Sequence, residues 1–183
     1  MEGSRPLILT VGHSTHPSER FLRLLGAGRV EALADVRRYP SSRRLPQFNA
    51  AALEGSLAEA GVEYVWLGDQ LGGRRRSRRS SENDAWRVEG FRGYADHMAS
   101  AEFRTGLERL EELARGKRTA FMCAEGDWRR CHRRLIADAL LARGWEVEHL
   151  LRDGRRERHE LPPFAVIKAN RVSYPAAQQG LGA

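Results

Sequence analysis

The chain has 183 residues, 41% of them hydrophobic, which fits a single domain spanning 1–183 that buries about 70% of its unfolded surface and excludes the small disulfide- or metal-stapled classes. Its formal charge of +7 invites a polyanionic partner, yet of the 31 basic residues only Lys117 and Lys168 are lysine. So lopsided a ratio follows coding bias as readily as function, and charge by itself implies only solubility and a tolerance of anions.

Met1 to Leu9 lacks the charged, apolar, small-residue order of a signal peptide, and no later stretch reaches the roughly 18 apolar residues of a membrane span. A cytoplasmic protein with reduced thiols and no membrane partner is expected. Leu7 to Gly12 is predicted as a strand, Pro17 to Leu25 as a helix with Ser18 near its start, and Val30 to Val36 as a second strand. Asn49 is the expected N-cap of a helix through Ala60, which Gly61 stops before a strand at Val62 to Leu67. Residues 71–83, polar, Gly-flanked and rich in arginine, read as a mobile surface loop. Residues 91–115 are predicted helical with a break near Ser100, a fresh N-cap ahead of Phe103, Leu107, Leu110 and Leu113. A strand at Thr119 to Cys123, a helix from Cys131 to Arg143 closed by Gly144, and a strand at Glu146 to Leu151 follow. Residues 153–183 read as irregular, except for a hairpin expected between Phe164 to Lys168 and Arg171 to Tyr174. The alternation predicts the α/β class: a mainly parallel, doubly wound (Rossmann-like) sheet of about five strands with flanking helices.

In a parallel sheet all strand carboxyl ends lie on one edge, where ligands bind. The residues at those ends are Gly12-His13-Ser14, Asp35-Val36-Arg37, Leu67-Gly68 and Cys123-Ala124-Glu125, and the next helix start adds Cys131, His132 and Arg133. Each is ordinary alone; their shared edge makes them a candidate site.

The ordered motifs Gly-His-Ser, Asp-Val-Arg-x-x-Pro, Pro-x-Phe-Asn, Leu-Gly-x-x-Leu-Gly-Gly, Phe-Arg-Gly-Tyr-Ala and Met-Cys-Ala-Glu…Cys-His-Arg resemble the domain of unknown function 488 family, from about Thr10 to Leu151. The Pro163-Phe164-Ala165 tail is similar to that of its longer members. The resemblance implies a compact α/β protein with Cys123, Glu125, Cys131, His132 and Arg133 at signature positions, and it implies no known reaction. Gly-Asp-Trp-Arg-Arg before Cys131 stands one register from the family's Pro-Trp-Arg spacing, which weakens any role carried over to Trp128 and Arg129.

Residues 123–129 fit Cys-x-x-Gly-x-x-Arg, the spacing of a phosphate-cradling thiolate loop, but Glu125 and Asp127 would repel phosphate and raise the thiol pKa. Cys123 therefore reads first as a buried structural cysteine. Cys131 is the better nucleophile candidate, since a helix N-terminus beside His132 and Arg133 favours thiolate. A metal site from Cys-x7-Cys-His ranks lower, because paired short Cys spacing is absent and the fourth ligand would have to be His13. Neither metal nor cofactor is expected. Glu125 and Asp35 are acid–base candidates, and Arg37 and Arg133 could clamp an anion, with His13 and Ser14 beside them. The competing view of these residues is an arginine–carboxylate lattice that fastens loops. Arg38, Arg43, Arg44, Arg74, Arg75, Arg76, Arg78 and Arg79 offer a nucleic-acid backbone a basic surface, although no stacking signature accompanies them, and Trp66, Trp86, Phe91 and Tyr94 read as core or lid.

The expectation is an enzyme or ligand-binding protein acting on a small anionic ligand of the nucleotide or modified-base class; the alternative is a basic nucleic-acid-binding module without catalysis. Oligomeric state is left open.

Overall fold

The central strands are apolar on both faces, the pattern of a sheet covered by helices on each side. The computed structural model describes residues 5–177 and shows five parallel strands in it. They are β1 (Leu7–Gly12), β2 (Ala32–Asp35), β3 (Glu63–Trp66), β4 (Thr119–Cys123) and β5 (Glu146–Leu150), in the order β3-β2-β4-β1-β5. A sixth, β6 (Arg156–Arg158), pairs antiparallel with β5 and closes that edge. Sequence patterning missed β6 because Arg-Glu-Arg carries no apolar alternation. The strand is held instead by ion pairs to β5, Arg158 to Glu146 at 3.0 Å and Arg156 to Glu148 at 3.5 Å.

Alternation along the strands sends successive side chains to opposite faces. Leu9, Val11, Leu33, Ala120 and Met122 pack under α1 (Ser18–Ala27) and α2 (Ala50–Glu59), with Phe21, Leu25, Leu53 and Leu57. Ile8, Ala34, Val36, Phe121 and Val147 pack on the other face with α3 (Gly68–Leu71), α4 (Glu89–His97), α5 (Ala101–Gly116) and α6 (Arg133–Ala142). The result is a Rossmann-like α/β sheet wound on both sides.

Local chemistry sets the helix ends. Ser100 caps α5 by accepting from the Phe103 amide at 3.1 Å, and Gly61 and Gly144, at φ +73° and +88°, follow α2 and α6. Asn49 occupies the N-cap of α2, but its Oδ1 accepts from Ser42 N at 2.6 Å and so braces the loop after β2. The arginine-rich segment after α3 is fastened to α4 by Asp96, which accepts from Arg78 N, Ser81 Oγ and Asn83 Nδ2. Near the end of the described chain β7 (Val166–Lys168) and β8 (Arg171–Ser173) form a hairpin whose turn residues, Ala169 and Asn170, both have positive φ.

The crossovers from β1 to β2 and from β2 to β3 run one way across the sheet, and that from β4 to β5 runs the other. The chains leaving β1 and β4, which pair directly, therefore part to opposite faces. Gly12 makes this parting possible: a Cβ there would stand 2.0 Å from the Glu125 carbonyl oxygen. Gly12→Ala is expected to lower unfolding free energy by about 3 kcal/mol, measured by denaturant titration, because backbone rather than a flexible side chain blocks it. An unchanged midpoint would refute this close-approach role.

Candidate functional site

Asp35 ends β2 fully buried, and a carboxylate there needs donors. It receives the Arg37 amide at 3.0 Å, Arg37 Nε at 2.9 Å and Nη2 at 2.6 Å, and the Tyr64 hydroxyl at 2.8 Å. Arg37 Nη1 donates to the Phe48 carbonyl at 2.8 Å and meets His13 Nε2 at 3.3 Å. His13 Nδ1 donates to the Ser14 carbonyl at 2.8 Å, which leaves Nε2 as the lone pair facing Arg37. Its ring stacks on Phe48 with centroids 4.1 Å apart. Burial, with the Arg37 charge beside it, pushes His13 down to about 4, so it is neutral at pH 7. His13, Ser14, Asp35 and Arg37 thus meet with Tyr64 and Phe48 in one saturated network on the α1/α2 face.

The second cluster lies on the other face. After β4 a short 3-10 turn, Trp128–Arg130, is capped by Asp127 accepting from Arg129 N, and it delivers Cys131 and His132 to the start of α6. His132 Nε2 lies 3.2 Å from the Val36 carbonyl. A carbonyl only accepts, so Nε2 carries the proton and Nδ1 the lone pair. That lone pair sits 3.9 Å from Cys123 Sγ and 3.8 Å from Cys131 Sγ, and the three donor atoms all lie within 4.8 Å of one another. His13, the fourth donor the sequence would require for a metal, belongs to the network across the sheet.

Arg133 is 1% exposed, and among the described residues no carboxylate pairs with it. Its Nη1 donates to Thr10 Oγ1 at 2.8 Å and Nη2 to the Glu125 carbonyl at 2.7 Å, while Nε has no partner. A buried guanidinium without an acid raises the local potential. Burial opposes ionisation of Cys131, but the Cys123 thiol, His132 and Arg133 outweigh it and hold Cys131 well below its ordinary range. Cys123 is driven up, first by Cys131 and then by burial. The Glu125 side chain is at the rim, exposed, with Oε1 accepting from Asp127 N at 3.0 Å.

Above the cluster two adjoining hollows of about 200 and 590 Å³ share Gly73, Arg74, Cys123, Ala124 and His132. One wall is cationic and aromatic: Arg38 and Arg74 approach the exposed Tyr39 ring at 5.8 and 5.9 Å. Val88, Phe91 and Tyr94 line the larger hollow together with Arg74. Neither Arg38 nor Arg74 has an acid partner among the described residues. Arg75 is tied to the Gly72 and Asp69 carbonyls and to Glu102, whereas Arg43, Arg44, Arg76, Arg78 and Arg79 are exposed without acid partners among those residues.

The profile of the family described as domain of unknown function DUF488 matches residues 17–140. The chain belongs to the DUF488 family. Neither a curated protein nor a solved structure matched it. The DUF488 match takes in Asp35, Arg37 and the whole Cys123 to Arg133 cluster, while His13 and Ser14 precede it.

Sequence reasoning undervalued Tyr39 and Gly73, both at the pocket. An exposed aromatic between Arg38 and Pro40, just past a strand end, was the available signal. It also passed over a buried chain behind the DUF488 cluster: Tyr174 donates to Asp138 at 2.6 Å, His159 Nε2 lies 2.7 Å from Asp138, and His149 Nε2 lies 2.9 Å from His159 Nδ1. Trp128 covers His149 in a parallel stack at 4.0 Å.

Proposed function

We propose that the DUF488 chain binds a small anionic ligand of the nucleotide or modified-base class in this pocket and acts on it at the Cys123–Cys131–His132 floor. The observation that supports this reading is the pairing of Arg38 and Arg74, guanidiniums with no acid partner among the described residues, around the exposed Tyr39 ring. Two such cations answer a phosphate, and the aromatic faces of Tyr39 and Phe91 answer a planar base. The larger hollow falls in the volume range of small-molecule sites.

Titration with the four nucleoside monophosphates and their nucleosides tests it. Binding of at least one monophosphate is expected to weaken about tenfold on Arg38→Ala and again on Arg74→Ala, one charge-assisted contact each. No binding by any monophosphate, or indifference to both substitutions, would remove the reading. A second reading, nucleic-acid backbone binding, is favoured by exposed Arg43, Arg44, Arg76, Arg78 and Arg79. It expects oligonucleotide affinity that falls steeply with salt and survives loss of Tyr39.

A further inference from the structure

We infer that Cys123, Cys131 and His132 form a three-ligand site for a thiophilic divalent cation of the zinc class, with its fourth position open to the pocket. Three features of the cluster carry this. The His132 tautomer is fixed by the Val36 carbonyl, so the Nδ1 lone pair is turned toward both sulfurs at once, 3.9 and 3.8 Å away. One lone pair can accept from one thiol only, so a hydrogen-bonded Cys–His pair does not account for near-equal distances to two. A tetrahedral ion bonded to sulfur at ~2.3 Å and to nitrogen at ~2.05 Å holds these atoms about 3.6 Å apart, within a few tenths of an ångström of the separations present.

The outer contacts match such a site as well. An imidazole that gives its far N–H to a backbone carbonyl is the usual arrangement of a metal-ligating histidine, since the bond orients the ring and raises its basicity. Gly73 packs against the same ring: a Cβ there would stand 3.0 Å from His132 Nδ1, so the glycine keeps that side clear. Cys123 and His132 line both hollows and Cys131 the larger one, which leaves ligands on one side of the ion position and open space on the other.

Charge adds a consequence. Two thiolates neutralise a divalent ion, and Arg133 beside them brings a further positive charge with no carboxylate partner among the described residues. The open position therefore favours an anionic or hydroxide ligand. Both sulfurs bind as thiolates, so any thiol proton still held is released to solvent, and the step involves no redox change. The inference names what lies at the floor of the proposed pocket, yet its test uses metal alone and is independent of nucleotide binding.

The full chain, reduced and then stripped with chelator, is titrated with Co²⁺. Expected is one ion per chain, an intense tetrahedral visible spectrum with sulfur-to-cobalt charge transfer, and displacement of the colour by Zn²⁺. Cys123→Ser, Cys131→Ser and His132→Ala are each expected to weaken binding by more than about 100-fold, beyond what loss of an outer contact does. His16→Gln, on the α1 side, leaves it unchanged. Should a cysteine variant fail to fold, the unmodified chain still decides: Zn²⁺ must protect both thiols together from a thiol reagent. Pale octahedral cobalt, no joint protection, or an intramolecular disulfide that forms regardless of Zn²⁺ would overturn the inference.

Discussion

Replacing Asp35 by alanine is expected to cost the DUF488 chain about 3–5 kcal/mol of unfolding free energy. The carboxylate is the acid partner of Arg37, which is itself 6% exposed, and it also receives the Tyr64 hydroxyl. Its loss leaves a buried guanidinium with only the Phe48 carbonyl and the His13 lone pair as acceptors. The double variant Asp35→Leu/Arg37→Met removes both charges, so it is expected to be more stable than Asp35→Ala alone. Denaturant midpoints of the two variants provide the comparison. If Asp35→Ala proves as stable as the parent, or the double variant proves no more stable than Asp35→Ala, the ion pair is not what holds the loop after β2.

A steep loss of stability between pH 6.5 and 4 is the second large effect expected. His13 is pushed down by burial and then by Arg37, from an ordinary 6.5 to about 4. A histidine whose folded pKa is depressed stays neutral in the native state while the unfolded chain takes up its proton. Stability is therefore complete above pH 6.5 and falls as pH drops toward the folded value, by about 3 kcal/mol for a shift of this size. His149 adds to the fall in the same direction, because burial, His159 and Arg133 also depress it. Asp96 does not share the window: burial raises it, but the donors from Ser81, Arg78 and Asn83 prevail and hold it below its ordinary 3.8, so its contribution is lost only at lower pH. Unfolding titrations at pH 7.5, 6, 5 and 4.5 check this, with His13→Gln expected to flatten the profile. A profile level from pH 7 to 4.5 would show that neither imidazole is held neutral.

The parallel, doubly wound sheet and its shared carboxyl edge were legible because short runs apolar on both faces, each followed by a helix, admit few arrangements. Cys131, His132 and Arg133 were legible as a unit because one turn places them together. Two things were not. Which face each side chain takes depends on single-residue parity along a strand. Asp35 faces α1 and α2 while Val36 faces α5 and α6, so the expected single site divides into a saturated lattice on one side and the thiol–imidazole cluster on the other. The partners that saturate the lattice, Tyr64 and Phe48, also look like ordinary core aromatics when read along the chain. The Asp138–His149–His159–Tyr174 chain stayed hidden for another reason. Its members are spread over 37 positions by number and are joined only when β5, α6 and the residues after β8 assemble, with no local spacing to announce them.

Arg133 has a kinetic meaning too. Its guanidinium starts on α6, reaches across to Thr10 on β1 and closes on the Glu125 carbonyl just past β4. Until all three elements are in place, water solvates it better than the protein can. We expect its dehydration to come late in assembly, so that conservative changes at Arg133 act on how fast the native chain opens while leaving its rate of folding nearly untouched, a division that folding and unfolding rates measure directly.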